Sequence, residues 1–260
     1  MIGLALEGGG AKGAYHIGVV QALMESGYDF DGFVGTSIGA INAAILAQGE
    51  LDTAFDVWQN ITMDKIFDLD ERFTQLVEKR SMVPDSDLPF ILRDFLAKLI
   101  NDKGIGTEKM KAYLRKFIDE DKIRASGKDF GLVTVSLDTL KPHRLMLEDI
   151  PDGYLINYIM ASASFPGFRS EVIDDVSFID GGFHDNCPYD LLCDRGYDEV
   201  IAVRTNAPGI FRKVKDPDRV KVIVPEDDLG HMMLFTQQRS KRNLVIGYYD
   251  GLSFAIEHGH

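Results

Sequence analysis

Cysteine is scarce in this chain of 260 residues, which has only Cys187 and Cys193. Two thiols cannot build a disulfide framework, and neither stands in a Cys/His spacing that would hold zinc. Positive charge is also in short supply: 28 Lys and Arg face 41 Asp and Glu, for a net charge of −13. That balance excludes nucleic acid as an expected partner, because phosphate binding needs a basic surface. It also argues against a strong nonspecific hold on anionic lipid. The local basic run Arg239-Ser240-Lys241-Arg242 fits a solvated helix face. Long apolar runs are missing, with no stretch near the roughly 18 residues of a membrane span. The opening Met1-Ile2-Gly3-Leu4-Ala5-Leu6-Glu7 lacks the basic start of a signal peptide and runs straight into a strand pattern. These absences lead us to expect a cytoplasmic protein with reduced thiols, for which a peripheral membrane contact stays open. Acidic runs such as Asp68-Leu69-Asp70-Glu71 lack calcium-loop spacing, so neither a metal nor another cofactor is implied.

What is present is ordinary globular composition, 45% hydrophobic and 27% charged, sufficient for one large core or two small ones. Ile2 to Leu6 alternates too little for a half-exposed strand and fits a buried strand of a parallel sheet. A glycine loop follows, then a helix over Ala14 to Ser26 with Ile17, Val20, Leu23 and Met24 on one face and Gly27 past its end. Gly32 to Gly35 is a second strand, and Ile41 to Ala47 continues as a helix. Strand–helix–strand–helix within 50 residues predicts an α/β fold. Residues 52–128 change character. The spacing of Leu88, Ile91, Leu92, Phe95, Leu96 and Leu99 predicts an amphipathic helix. Met110, Tyr113, Leu114, Phe117 and Ile118 predict another, with Thr107 as N-cap. We expect a helical insertion over one end of the sheet, a set of crossover helices being the simpler alternative. Further strands are expected at Gly131–Leu137, His143–Leu147, Glu171–Ile173, Ser177–Ile179, Val200–Thr205 and Val220–Val224. Helices are expected at Tyr154–Ser162 and Leu229–Glu257. No repeat or linker divides the chain, so residues 1–260 read as one domain.

Three short motifs carry chemistry. Gly35-Thr36-Ser37-Ile38-Gly39 is a G-x-S-x-G turn between a strand and a helix. Such a turn pushes the serine hydroxyl outward, while the glycines permit the tight backbone. A serine hydroxyl is a poor nucleophile until a base takes its proton, and the resulting oxyanion needs amide donors. The loop Gly8-Gly9-Gly10-Ala11-Lys12-Gly13, at a strand end and opening a helix, presents consecutive N–H groups suited to that task. Gly8, Gly10 and Gly13 also spell a dinucleotide fingerprint, with Asp29 or Asp31 near a ribose-binding position. Against that reading, the second strand ends in the serine turn where the acidic residue would stand. Asp180-Gly181-Gly182 closes an apolar run, and its glycines allow a sharp turn that can aim the carboxylate at a cleft, though Asp-Gly is also a common hairpin turn. Ser37, Asp180 and His231 satisfy a Ser…Asp…His order formally, but only two strands fit before Ser37. His16, His143, His184, His231, His258 and His260 share no motif context and read as surface or helix residues.

Taken together the motifs resemble the patatin-like phospholipase family. Gly8 to Gly13 look like its oxyanion loop, Gly35 to Gly39 like its nucleophile elbow and Asp180-Gly181-Gly182 like its base motif. Ala161-Ser162-Ala163-Ser164-Phe165-Pro166-Gly167-Phe168 and Asn186-Cys187-Pro188 are similar too. The resemblance runs from about Ile2 to Val203, more weakly through Tyr248-Tyr249-Asp250-Gly251, and is poorest in the helical middle. It implies a three-layer α/β/α sandwich with a mostly parallel sheet, and a Ser–Asp dyad without histidine. In that dyad Ser37 is the nucleophile and Asp180 the base, with amides of Gly9 and Gly10, joined by Ala11 or Lys12, holding the oxyanion. The implied partner is a lipid or other ester, cleaved through an acyl-enzyme; a transacylase would differ only in its acceptor. A lipid-binding or regulatory module with little activity is the alternative from another class. Phe165, Phe168 and Phe178 are candidates for the apolar surroundings that would raise the basicity of Asp180.

Overall fold

The computed structural model describes residues 1–67, 106–165, 168–213 and 216–259. The chain begins with β1 (Ile2–Leu6), α1 (Ala14–Glu25), β2 (Gly32–Gly35) and α2 (Ile38–Ala47). Helices α3 (Leu51–Gln59), α4 (Met63–Ile66), α5 (Glu108–Leu114) and α6 (Glu120–Ala125) follow. Then come β3 (Asp129–Ser136), β4 (Pro142–Met146), α7 (Leu155–Ser162), β5 (Glu171–Ile173), β6 (Val176–Asp180) and α8 (Asp190–Cys193). The chain closes with β7 (Glu199–Val203), β8 (Val220–Ile223) and α9 (Gln237–Glu257).

These strands form one eight-stranded sheet. β3, β2, β1, β7 and β8 run parallel, while β4 and β6 add antiparallel to β3, and β5 antiparallel to β6. Both faces are covered, which is why the parallel strands read as continuous apolar runs. Leu4, Leu6, Phe33, Phe130, Leu132, Ile201 and Val203 join a core with α1, α2 and α9. Ala5, Val34, Val133, Val200 and Ala202 meet Leu191 and Leu192 of α8, with Tyr197, in a second core on the opposite face. The architecture is therefore a three-layer α/β/α sandwich. Every residue of α2 is buried, as expected for a helix that is apolar on all sides apart from Asn42. Helices α1 and α9 are tied by the Tyr15 hydroxyl, which donates to Asp250 Oδ2 at 2.7 Å.

The register brings distant loops together. Leu6 pairs with both Gly35 and Val203, so β1, β2 and β7 end level and release their loops at one edge. β4 pairs along residues 131–135 of β3 and takes one edge of that strand. On its opposite edge β2 pairs with residues 129–132 and β6 with 134–136. The two run in opposite senses, so their C-terminal ends meet head-on, Gly35 opposite Leu132 and Asp180 opposite Thr134.

Two expectations change. The last helix starts at Gln237, not Leu229, because Thr236 caps it by accepting from the Arg239 amide at 3.4 Å. The preceding stretch turns at Gly230, and its Met232 carbonyl accepts from the Ala11 amide at 2.7 Å instead of entering a helix. Thr107 does precede α5, but its backbone is already helical and its side chain caps nothing. The hydroxyl faces Glu171 Oε2 at 3.5 Å instead, beside the buried Lys111–Glu171 ion pair. The helix expected over Leu88–Leu99 and the acidic run at 68–71 lie outside the described residues.

Candidate active site

Ser37 sits at the N-terminus of α2 with φ 58° and ψ −125°, a left-handed conformation costing a non-glycine residue on the order of 1–3 kcal/mol. A serine there would ordinarily cap the helix with its own hydroxyl. Ser37 makes no such bond, so the turn leaves its hydroxyl for other work. The strained backbone is held from three sides. The Ser37 amide donates to Ser162 Oγ at 2.9 Å, the Thr36 amide to the Leu6 carbonyl at 3.2 Å, and Thr36 Oγ1 to the Asp185 carbonyl at 2.8 Å. Gly39 is required by close approach, since a Cβ there would lie 2.2 Å from the Leu6 carbonyl oxygen.

Asp180 ends β6, and its carboxylate accepts from the Gly182 amide at 2.8 Å. Only 4% of the residue is exposed. Burial pushes its pKa up to about 6, while the Gly182 amide and a side-chain hydrogen bond with Ser37 pull it down. Ser37 and Asp180 both line a cavity of about 430 Å³, with Gly9, Gly182 and Asn186.

The glycine loop divides its amides. Gly8 donates to the Asn186 carbonyl at 2.9 Å, Ala11 to the Met232 carbonyl at 2.7 Å and Lys12 to the Gly9 carbonyl at 3.2 Å. Among the described residues no acceptor takes the amides of Gly9 or Gly10. Gly13 instead offers its carbonyl to Asn42 Nδ2. Gly10 has φ +55°, and a Cβ there would lie 2.1 Å from the Met232 carbonyl oxygen. The Lys12 ammonium reaches the carbonyls of Thr205 and Asn206, each at 3.2 Å, and so ties the loop to the end of β7.

Residues 4–192 match the family model described as patatin-like phospholipase. This chain belongs to the patatin-like phospholipase family. It is 53% identical over 206 residues to an uncharacterized NTE family protein of Mycobacterium tuberculosis, covering 79% of this chain and 49% of that protein. It is 30% identical over 203 residues to lysophospholipase NTE1 of Yarrowia lipolytica, covering 78% of this chain and 12% of that enzyme. The chain thus spans about half or less of these relatives' length. The crystal structure of VipD from Legionella pneumophila shares the fold, with a TM-score of 0.54 at 16% identity, over 98% of this chain and 67% of that one.

The loops around Ser37 and Asp180 rest on groups outside the three motifs. Glu7, fully buried, accepts from Arg204 Nε and the Thr205 amide at 2.9 Å each, the Ala207 amide at 3.0 Å and Asn186 Nδ2 at 3.4 Å. It locks the glycine loop to the loop after β7. The sequence signal was a carboxylate ending an apolar strand. The 161–165 stretch acquires a purpose as well. Ser162 supports the serine turn, and the Ser164 carbonyl accepts from the Asp180 amide at 3.0 Å, so one segment braces both motif loops. Phe165 lines the cavity holding Ser37 and Asp180. Phe168 lines a second cavity on Ser37. Phe178 lines neither and packs with Ala161 and Ile173. His231 lines neither cavity, and its Nδ1 accepts from the Met233 amide at 3.2 Å. His16, expected at a surface or helix position, is on α1 but fully buried, with its pKa lowered by that burial to about 3. Both thiols are unpaired, and among the described residues no cluster of His, Cys, Asp or Glu is arranged to hold a metal ion.

Proposed function

We propose that this chain is a serine acyl hydrolase acting on lipid esters through a Ser37–Asp180 dyad. The observation that carries the reading is Ser37 and the buried Asp180 on one cavity wall, beside the Gly9 and Gly10 amides that no acceptor among the described residues takes. Asp180 takes the Ser37 proton as Oγ bonds to the ester carbonyl carbon, and the Gly9 and Gly10 amides hold the oxyanion. Collapse breaks the C–O bond to the alcohol, which takes the proton from Asp180. Water then gives its proton to Asp180 and attacks the acyl-enzyme, releasing the acid and restoring Ser37. A free aspartate is too weak a base for this, and desolvation brings it toward working pH. The exposed side chains of Phe183 and Ile210 at the cavity rim suit an apolar, lipid-bearing substrate.

The test is Ser37→Ala, assayed on p-nitrophenyl esters and on a lysophospholipid, the class that the name of the yeast relative suggests. Turnover should fall on the order of 10³-fold or more with the fold retained by circular dichroism, and a fluorophosphonate should label the wild type alone. Undiminished turnover in the folded variant refutes the assignment. Failure of the wild type to label or turn over favours a lipid-binding module.

A further inference from the structure

Among the described residues Ser37 borders two cavities of different chemistry. The wide one, about 430 Å³, also touches Gly9, Asp180 and Asn186. The other is a narrow apolar slot of about 40 Å³ that touches Gly10. It leads into a further space of about 20 Å³, and Ile38, Ile41, Ile66, Met110 and Phe235 line both. The far space is bounded by Trp58, Tyr113 and Phe117. Polar atoms along this path are satisfied internally: Trp58 Nε1 donates to Asn42 Oδ1, and Asn42 Nδ2 donates to the Gly13 carbonyl, each at 2.9 Å. The slot therefore offers a ligand almost nothing but hydrocarbon.

Building on the Ser37–Asp180 reading, we propose that the slot beneath α2 holds the acyl chain and the wide cavity holds the leaving alcohol. The reason is the position of the base. Asp180 borders the wide cavity and not the slot. The departing alkoxide must collect its proton from Asp180, and the incoming water must deliver one there, so both exchange on the wide side. The acyl group stays bonded to Ser37 throughout and must lie where it does not block that exchange. Gly9 faces the wide cavity and Gly10 the slot, which sets the carbonyl at the junction. As it stands the slot has room for only a few water molecules. Met110, Met232 and Met233 line its first stretch, and such unbranched, adaptable side chains can move aside for a chain. Acyl length is then selected where the path meets Trp58, Tyr113 and Phe117.

The test uses the wild-type chain first. A dodecyl fluorophosphonate carrying a terminal diazirine is attached to Ser37, irradiated, and the crosslink located by mass spectrometry. Crosslinks to peptides containing Trp58, Tyr113 or Phe117 are expected. A Ser37 adduct that crosslinks instead to Phe183 or Ile210 overturns the assignment of the two arms and leaves the dyad standing. Absence of any Ser37 adduct removes the nucleophile and this inference with it. In a second arm, Ile41→Trp fills the slot, and the ratio of kcat/KM for tetradecanoyl over butanoyl esters should fall at least ~10-fold, the scale on which apolar pockets discriminate chain length. An unchanged ratio in a folded Ile41→Trp, with a changed ratio in Ile210→Trp, gives the opposite arrangement.

Discussion

Glu7 closes β1 and Asp180 closes β6, and both carboxylates are withdrawn from water beside the loops that carry Ser37 and the paired glycines. Burial is the largest influence on each, and each pKa is raised. Their partners differ. Glu7 has four donors, one of them the Arg204 guanidinium. Among the described residues Asp180 accepts from one amide, that of Gly182, and it shares a cavity wall with Ser37, whose side chain lowers its pKa. A carboxylate with every lone pair engaged and a counter-charge beside it is a fastening. One left under-solvated next to a single hydroxyl keeps its appetite for a proton. Burial alone therefore does not single out the proposed base; the smaller number of donors on its carboxylate does.

Asp180→Asn probes the reactive half and should give the largest effect. Removing the proposed base should lower kcat/KM on the order of 10⁴-fold, measured on a soluble ester. Stability should move the other way. The folded chain holds this proton up to about pH 6, against an ordinary value of 3.8, so folding takes up a proton between those limits. Stability contributed by this group is therefore present below pH 4 and lost as pH rises through 6, amounting to about 3 kcal/mol at neutrality. Asn cannot ionise, so urea unfolding at pH 7.5 should find the variant more stable than the wild type, and at pH 4 the two should converge. The wild-type rate should rise through pH 6 as the base ionises, and the residual rate of the variant should be flat there. A variant less stable at both pH values would place Asp180 with Glu7.

Glu7→Ala tests the other half. It strips acceptors from the Thr205 and Ala207 amides and a counter-ion from Arg204, at a cost of about 3 kcal/mol, read as a lower urea midpoint. Activity should fall on the order of tenfold in the fraction that stays folded, because the Gly9 and Gly10 amides lose their anchor to β7 without any loss of a reacting group. Loss on the Asp180→Asn scale in a stably folded Glu7→Gln would break the comparison.

The same contrast shows what was legible in the sequence. Ser37 and Asp180 announce themselves because glycines mark sharp turns at strand ends, and Ile2 to Leu6 and Gly32 to Gly35 because buried parallel strands are apolar on both faces. The meeting of the two loops depends on β2 and β6 sharing one edge of β3, a pairing that no local pattern encodes. Which amides remain unengaged depends on Asn186 and Met232, far away in sequence. Leu229 to Phe235 kept helical composition, yet Thr236 offered a better start to α9, and the Met232 carbonyl went to Ala11. Glu7 looked like the edge of a motif because its four donors come from distant residues.

Ser162 sits between the two halves, and its effect should be the smallest. It is fully buried, and its hydroxyl accepts from the Ser37 amide at 2.9 Å. Under the proposed Ser37–Asp180 mechanism it touches no reacting atom, so its proposed role is positioning. Ser162→Ala leaves that amide without an acceptor at a cost of about 1–3 kcal/mol, and part of the cost should appear as relaxation of the strained Ser37 backbone. The hydroxyl of Ser37 would then spend less time aimed at Asp180. A loss of on the order of tenfold in kcat with KM unchanged is expected, and the pH midpoint of activity near 6 should hold because Asp180 keeps its burial and its Gly182 amide. If Ser162→Ala lowers the melting temperature and leaves kcat intact, the bond is only a fastening of the Glu7 kind, and the Ser37 turn keeps its aim through Thr36 alone.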